Sequence, residues 1–503
     1  MHQQRQCLLV CLLLLCPMSV VSAADYLLDD APASAFTAST PVLTVQTTPL
    51  TTYNRYLDGN WQSALMGSDG YFYFGASTHH WTHSSMMFRY RPTADGVLDP
   101  NRVDVLVANL STATGTNDQT EVPQGKPHSQ LVEMDGWIYG ATHLANYEDP
   151  RPAQYSGSHI VGLNMANAGQ VHDLGVTYGP SYTAYSAIGA DTTRGYIYNL
   201  QTNWAGSGTY MVRQTVPTNH TSPVNHSDPN QWMAWQVSTS GSVAGFAGFV
   251  DSQGNMWFNH AVGHNDTAAM MRVDANGTLS FYDNALPMRR KATQDVQDTS
   301  SQTPSFRYWQ WGEQVQGNPD KYIFTMSRDG GLWEFDAGKA RDGDLSDAFR
   351  QINFLTSTGL GSCLAGNTMY FVDHTDANNP EVAKSRDLRL KSVDISVPFA
   401  PVKDWGRIVD AAGRTPYRIE TIDADTQGHV FFTGDFRLLK DGFGRVLDSE
   451  KPFSTIRNRY GENDGLEVEL WRGHFFGTVT VPEPATLALL AGGLAILLRR
   501  RRA

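Results

Sequence analysis

The sequence has 503 residues, with 38 Lys plus Arg against 50 Asp plus Glu, 15 His and 4 Cys, enough chain to bury a core without covalent staples. Charged residues make up only 17%, while Gly, Phe, Tyr and Trp number 45, 22, 21 and 12, a balance that favours an all-β body over a helical one. The net charge of −12, with no basic stripe in the middle of the chain, excludes a protein that works by neutralising nucleic-acid phosphates.

Residues 1–23 carry one charge, Arg5, then an apolar run from Cys7 to Cys16 and a small-residue close at Val21-Ser22-Ala23. This pattern reads as a secretory signal peptide cut before Ala24. Three of the four cysteines leave with it, so Cys363 remains alone and the exported protein has no internal disulfide. With Arg5, the four terminal arginines and Glu483 set aside, the body at 24–480 carries 33 basic and 49 acidic residues.

From residue 67 onward a unit recurs in which a strand meets a Gly or Asp-Gly turn and a short aromatic strand follows. Clear copies are Gly67-Ser-Asp-Gly-Tyr-Phe-Tyr-Phe74, Met134-Asp-Gly-Trp-Ile-Tyr139, Thr192-Thr-Arg-Gly-Tyr-Ile-Tyr198, Asp251-Ser-Gln-Gly-Asn-Met-Trp-Phe258 and Asp425-Thr-Gln-Gly-His-Val-Phe-Phe432. Weaker copies stand at Asn318–Phe324 and Ala365–Phe371. The seven turns recur about every 60 residues, each is a hairpin signal because glycine supplies positive φ, and third strands follow at Ser84–Tyr90, Thr209–Arg213, Ala269–Val273 and Gly331–Phe335. Seven such units predict a seven-bladed β-propeller over 24–480. Strand-like segments at Pro41–Leu50 and Gly465–Val481 are expected to close the ring, and no helix longer than two turns is expected in the body. Polar stretches at Thr112–Lys126, Val216–Asn230 and Asn284–Thr303 are expected as loops on a face or edge.

At 481–503 the chain runs Pro482-Glu483-Pro484, an apolar stretch from Ala485 to Leu498, and Arg499, Arg500, Arg501 and Arg502. Fourteen residues span about 21 Å as a helix, short for a permanent anchor, and the arginines would hold the cytoplasmic side. This tail resembles the PEP-CTERM sorting signal. The resemblance implies a membrane exosortase as partner, transient anchoring in the inner membrane, removal of the tail, and delivery to the outer surface or extracellular matrix of a Gram-negative-type bacterium. Membrane contact is expected only through the tail, and the protein is expected to be a monomer.

In a propeller the start of each first strand and the end of each second strand meet on one face. Six to nine residues after the turns stand His79 and His80, His143, Thr202, His260, Ser327, His374 and Asp435, and the first strands begin near His128, Tyr185, Trp309, Trp311 and Arg418. His83 and His264 lie in the same loops, so eight of the 15 histidines fall on this face. Imidazoles gathered in this way suit general acid–base chemistry or a divalent metal such as Zn²⁺, Mn²⁺ or Ca²⁺, with His260 and His374 as candidate ligands. Trp309 and Trp311 are candidates for stacking on sugar rings alongside His79 and His80. Asp423-Ala-Asp-Thr-Gln-Gly428 imitates the start of a calcium loop, but Gly434 stands where the closing Glu is needed, so a blade hairpin is expected. Cys363 is read as a buried small hydrophobe.

A secreted propeller with histidines on one face resembles, in architecture, the polysaccharide lyases of this fold, including oligogalacturonate, ulvan and rhamnose-glucuronate lyases. That resemblance implies β-elimination on a uronic acid. His128 and His143 would be base and acid, Tyr185 an alternative proton donor, and Arg418 or a His-bound metal the carboxylate clamp. An acidic body repels a polyanion at long range, so a lyase needs a locally positive funnel. The alternatives are a matrix propeller that binds a glycan or protein without chemistry, and a metal-dependent hydrolase, for which Asp435 is the carboxylate at an equivalent position.

Overall fold

A computed structural model describes residues 41–481 except 55, 146–153, 204–207, 221, 240–246, 260–269, 284, 287–308, 327–330, 341–343, 356–360, 374–387, 412–415, 417, 442–445 and 448–467. Residues 1–40, which include the expected signal peptide, and the residues after Val481 lie outside the described residues. Seven antiparallel sheets follow one another along the chain, each with its innermost strand first. Blade 1 runs Leu57–Gly59 and Ala64–Met66, Phe72–Thr78, Met86–Tyr90, Val103–Val107; blade 2 runs Gln124–Pro127 and Val132–Met134, Trp137–Leu144, His159–Asn164, Val171–Val176. Blades 3 to 6 begin with Tyr182–Asp191, Gly248–Val250, Trp309–Val315 and Ser362–Ala365, and blade 7 consists of Arg418–Ala424, His429–Asp441 and Val468–Thr480. The expected seven-bladed propeller is the observed fold.

The recurring glycines make the hairpins that were read from them. Gly70, Gly136, Gly195, Gly254, Gly366 and Gly428 all have positive φ between the first and second strands, a conformation that costs other residues energy. In blade 5 the turn falls on Gly317 (φ 75°) rather than within the copy read at Asn318–Phe324. Asp425 accepts from the backbone N–H of Gln427 and His429, both at 2.9 Å, so the imitation calcium loop is a blade hairpin. The stretch Thr112–Lys126 is less loop-like than expected. It overlaps a helical turn at Leu110–Ala113, the sole α-helix among the described residues, and the strand Gln124–Pro127, and Gln124 is fully buried.

Alternating side chains send each strand's apolar residues to the two flanking blades. Among the described residues seven apolar clusters each join two consecutive blades. Tyr73 with Ile138 lies between blades 1 and 2, Trp309 with Trp257 between 4 and 5, Trp311 with Phe371 between 5 and 6, and Phe72 with Phe476 between 7 and 1. Cys363 is buried in the 6–7 cluster as a free thiol, which burial, Asp423 and Glu313 push well above its ordinary pKa. The N-terminal segment latches the ring across two blades. Val42–Thr44 runs parallel to the outer strand Lys403–Val409 of blade 6, and Gln46–Pro49 pairs antiparallel with Val468–Thr480 as the outermost strand of blade 7. Val45 between them is 1% exposed and its N–H donates to Val409 O at 2.8 Å.

At the closing seam Phe476 is fully buried and its ring lies 5.0 Å from Phe74, 5.7 Å from Phe72 and 4.8 Å from Tyr90. Phe476→Ala should cost about 3–5 kcal/mol, read as a lower urea midpoint with little change in slope. A midpoint equal to wild type would show that the seam is not a stabilising contact.

Candidate functional site

Two inner strands are interrupted at the same level. In blade 1 a turn at 60–63, held by Asn60 Nδ2 donating to Ser63 O at 3.1 Å and Ser63 N–H donating to Asn60 Oδ1 at 3.2 Å, splits the strand. Trp61 leaves this turn toward the strand-end face, whereas Gln62, in the left-handed region at φ 68°, enters the channel. In blade 2 the break falls at His128–Leu131, where Ser129 Oγ accepts from Ala141 N–H at 3.1 Å. Breaks of this kind re-aim side chains that a regular strand would point elsewhere.

Around Trp61 the structure gathers His79, His128, His143 and Arg418. His128 stacks on Trp61 with ring centroids 5.3 Å apart and planes 7° from parallel, and His143 stacks on His128 at 4.8 Å. His79 meets the indole edge-on at 5.0 Å, with its Nδ1 2.8 Å from Asp58 Oδ1. Two cations flank the indole: Arg418 Cζ at 4.9 Å and Lys126 Nζ at 5.6 Å from the ring centroid. The guanidinium is fixed by Asp435 Oδ2, which accepts from Nη2 at 2.9 Å and Nε at 3.2 Å, and Nη2 also donates to Asp58 O at 3.3 Å. Asp435 Oδ1 lies 2.7 Å from Nδ1 of the fully buried His474. Asp435 is thus the anchor of an Arg–Asp–His group in blade 7. The approach is so close that a Cβ on Gly59 would lie 2.7 Å from Arg418 Nη2.

His143 has no exposed surface. Its Nδ1 donates to Leu144 O at 2.8 Å, which leaves Nε2 as the basic nitrogen. Burial, and after it Lys126, His128 and His79, push its pKa well below the ordinary histidine value, so the ring is neutral.

The other residues read from the sequence go elsewhere. His80 and His83 form a second group: their Nδ1 atoms are 2.8 Å apart and both rings pack on Tyr56, at 3.9 and 4.1 Å. Tyr185 lies on the first strand of blade 3, where the register shifts between Ala184 and Ile188. Trp309 and Trp311 do not sit at an open mouth. A bulge between them, where Trp309 faces Met326 and Trp311 faces Thr325, turns them to opposite sides of the strand, and each is buried in a different interblade cluster. His260 and His374 follow the second strands of blades 4 and 6 directly and, like His264 and Ser327, lie outside the described residues. Among the described residues no group of three or more His, Cys, Asp or Glu is placed to hold a metal. Sequence reasoning missed Trp61, Lys126, Asp58 and His474. The polar break Asp58-Gly-Asn-Trp61 in a first strand is the signal that could have found Trp61.

The fold and this face define an all-β propeller whose seam between the last and first blades carries a cluster of aromatic rings, cations and carboxylates. The chain also bears, over residues 480–502, the PEP-CTERM protein-sorting motif, which implies an exported, cell-surface sorted protein processed by an exosortase. No curated protein matches the chain. Among solved structures it is similar to prolyl endopeptidases (9% identity, 81% of this chain and 47% of that chain, TM-score 0.39). It is also similar to an ulvan lyase of a new polysaccharide lyase family bound to a glucuronate–sulfated rhamnose unit (12%, 63% and 80%, TM-score 0.36), and to the hydrazine synthase of Kuenenia stuttgartiensis (9%, 72% and 88%, TM-score 0.38). The chain thus spans about half the length of the endopeptidases it matches. These likenesses are distant and carry no functional argument.

Asp435→Asn weakens the hold on Arg418 and strips the charge from the partner of buried His474. Breaking such a pair should cost about 3–5 kcal/mol, measured by thermal or urea unfolding; a loss under about 1 kcal/mol would place the pair among contacts of surface strength.

Proposed function

We propose that the protein is a surface-sorted polysaccharide lyase that cleaves uronic-acid-containing glycans by β-elimination at the Trp61 cluster. The observation that carries this reading is the enclosed His143, whose Nδ1–H is spent on a backbone carbonyl, stacked on His128 beside two cations. A neutral imidazole is a base for the proton α to a uronate carboxylate. Arg418 and Lys126 offset the negative charge that develops on that carboxylate in the carbanion-like state. With Asp58 and Asp435 in the same cluster, these cations act on a polyanion at close contact rather than as a funnel. His128 returns a proton to the departing glycosidic oxygen, with Tyr185 as the alternative donor, and Trp61 and His79 are the ring surfaces against which a sugar stacks. The base takes a proton from carbon, the carbon–oxygen bond β to it breaks, and the products are an unsaturated uronate and a free hydroxyl. Delivery to the outer surface or matrix of a Gram-negative-type cell, where such glycans are met, is part of the same reading.

One observation favours a second reading, a glycan-binding propeller without chemistry: His143 is fully enclosed, while Trp61 and His79 are the more open rings. Turnover separates the two. The lyase reading expects absorbance of an unsaturated product on at least one uronate polysaccharide, a loss of about 10²-fold or more in kcat for His143→Gln, and a smaller effect on KM. Binding without product on every uronate tested would overturn it in favour of the second reading.

The pH profile provides a sign check. The pKa of His143 in the folded protein lies below the ordinary 6.5, so the base form survives as pH falls through 6.5, and the acid limb of kcat/KM should lie below that value. By linkage, the stability associated with His143 is fully present above 6.5 and declines as pH falls below it, where the unfolded ring takes up a proton first. An acid limb above 6.5 that vanishes in His128→Gln would assign the base to His128.

A further inference from the structure

The central channel holds a second constellation, distinct from the Trp61 cluster. A cavity of about 630 Å³ is lined by the first strands of all seven blades and by the hairpins at Asp191–Arg194 and Asp251–Gly254. It therefore belongs to the hairpin side of the ring. Two glutamines reach across the channel: Gln62 Nε2 donates to Gln310 O at 2.8 Å, and Gln130 Nε2 donates to Gly312 O at 2.7 Å.

Among the oxygen-bearing side chains that line this cavity are Gln62 of blade 1, Glu313 of blade 5 and Asp423 of blade 7. The carboxylates accept only backbone N–H groups in the described contacts, Glu313 Oε2 from Leu364 at 2.9 Å and Asp423 Oδ1 from Ala424 at 2.7 Å, with Asp423 Oδ2 accepting from Met66. Gln62 is 5% exposed, and its amide is oriented by the Nε2 donation, so Oε1 is fixed as an acceptor. That oxygen has no hydrogen-bond partner among the described residues. A buried acceptor without a donor, in the same cavity as two carboxylates, is the reverse of what a stable core selects.

We propose that Gln62 Oε1, Glu313 and Asp423 form a calcium site in the hairpin-side cavity of the channel. Two carboxylates neutralise a divalent ion, whereas a monovalent cation would leave a net negative charge. An all-oxygen set mixing an amide with carboxylates on rigid strands suits Ca²⁺, with waters in this roomy cavity completing the shell, better than Mg²⁺, which demands a tight octahedron. The ion would tie blades 1, 5 and 7 together across the channel. The site uses none of the residues proposed for glycan cleavage, so its test is independent of that reading.

The test is terbium luminescence on the chelator-stripped full-length chain. Trp311 and Tyr322 line the same cavity and act as sensitisers for Tb³⁺ placed there. Saturable emission displaced by Ca²⁺, together with a higher Tm in Ca²⁺ than in chelator, is expected. Glu313→Gln should weaken Ca²⁺ competition by about tenfold or more. Gln62→Asn, which shortens the amide while remaining tolerant of positive φ, should weaken it as well. Absence of saturable emission in the wild type, or emission and Ca²⁺ competition unchanged in both variants, overturns the proposal. Should Glu313→Gln fail to fold, the wild-type titration and Gln62→Asn decide alone.

Discussion

Closure of the ring is the constraint on which the rest depends. An open chain of blades has two raw edges, and a propeller without a disulfide must cover them with its own strands. Here residues 42–49 do so twice, first along blade 6 and then along blade 7. The second pairing holds Val468–Thr480 in register, and that strand carries both Phe476, which packs on blade 1, and His474, which meets Asp435. The Trp61 cluster lies across this same seam. Blade 7 gives Arg418, Asp435 and His474, blade 1 gives Asp58, Trp61 and His79, and blade 2 gives Lys126, His128 and His143. A loosened latch would therefore move Arg418 relative to the His128–His143 pair of blade 2.

The ring was legible because its signals are local and repeated. A glycine that must take positive φ, followed by two or three alternating aromatics, leaves the same mark in each blade, and period-two alternation tells which residues reach the flanking blades. Placement of His79, His128, His143 and Arg418 on one face followed from topology alone. What could not be read were the departures from regularity. The breaks at 60–63 and 128–131 decide that Trp61 and His128 stack, and the bulge between Trp309 and Trp311 sends two tryptophans that look like a binding pair into separate cores. A bulge changes the direction of a side chain without changing the pattern of residue types around it. Lys126 and His474 were missed for a related reason: Lys126 acts through Trp61 of another blade and His474 through Asp435 on the neighbouring strand of its own blade, and sequence distance hides both contacts.

Within an acidic body the site holds two cations, Lys126 and Arg418, together with the carboxylates Asp58 and Asp435. Residues 24–480 are strongly acidic, yet Lys126 is 2% exposed and Arg418 is held against Trp61. Cations kept from bulk water interact with an anion at a lower effective dielectric than surface lysines do. Their attraction is short-ranged and survives salt better than a surface patch. Such a cluster gives little long-range steering, so an anionic chain would be recognised by close contact with a few groups rather than by a basic surface. The Asp435 anchor adds rigidity at a cost, because one of the two positive charges near Trp61 is partly neutralised by the carboxylate that positions it.

The two faces of the molecule are joined by a single turn. Trp61 and Gln62 are consecutive, yet one belongs to the imidazole cluster and the other to the channel, because the left-handed backbone at Gln62 reverses the direction of the chain between them. That turn is pinned from three sides. Asn60 and Ser63 bond each other, Gln62 N–H donates to Thr421 Oγ1 at 3.0 Å in blade 7, and the Gln62 amide reaches blade 5. A strained conformation of this kind persists only where its surroundings over-determine it. Whatever holds Gln62 in the channel also holds the indole on which His128, Arg418 and Lys126 converge. The cross-channel contacts are thus the floor of the site as well as the plug of the ring, and the geometry of the imidazole pair depends on blade 5, a blade that contributes no side chain to it among the described residues.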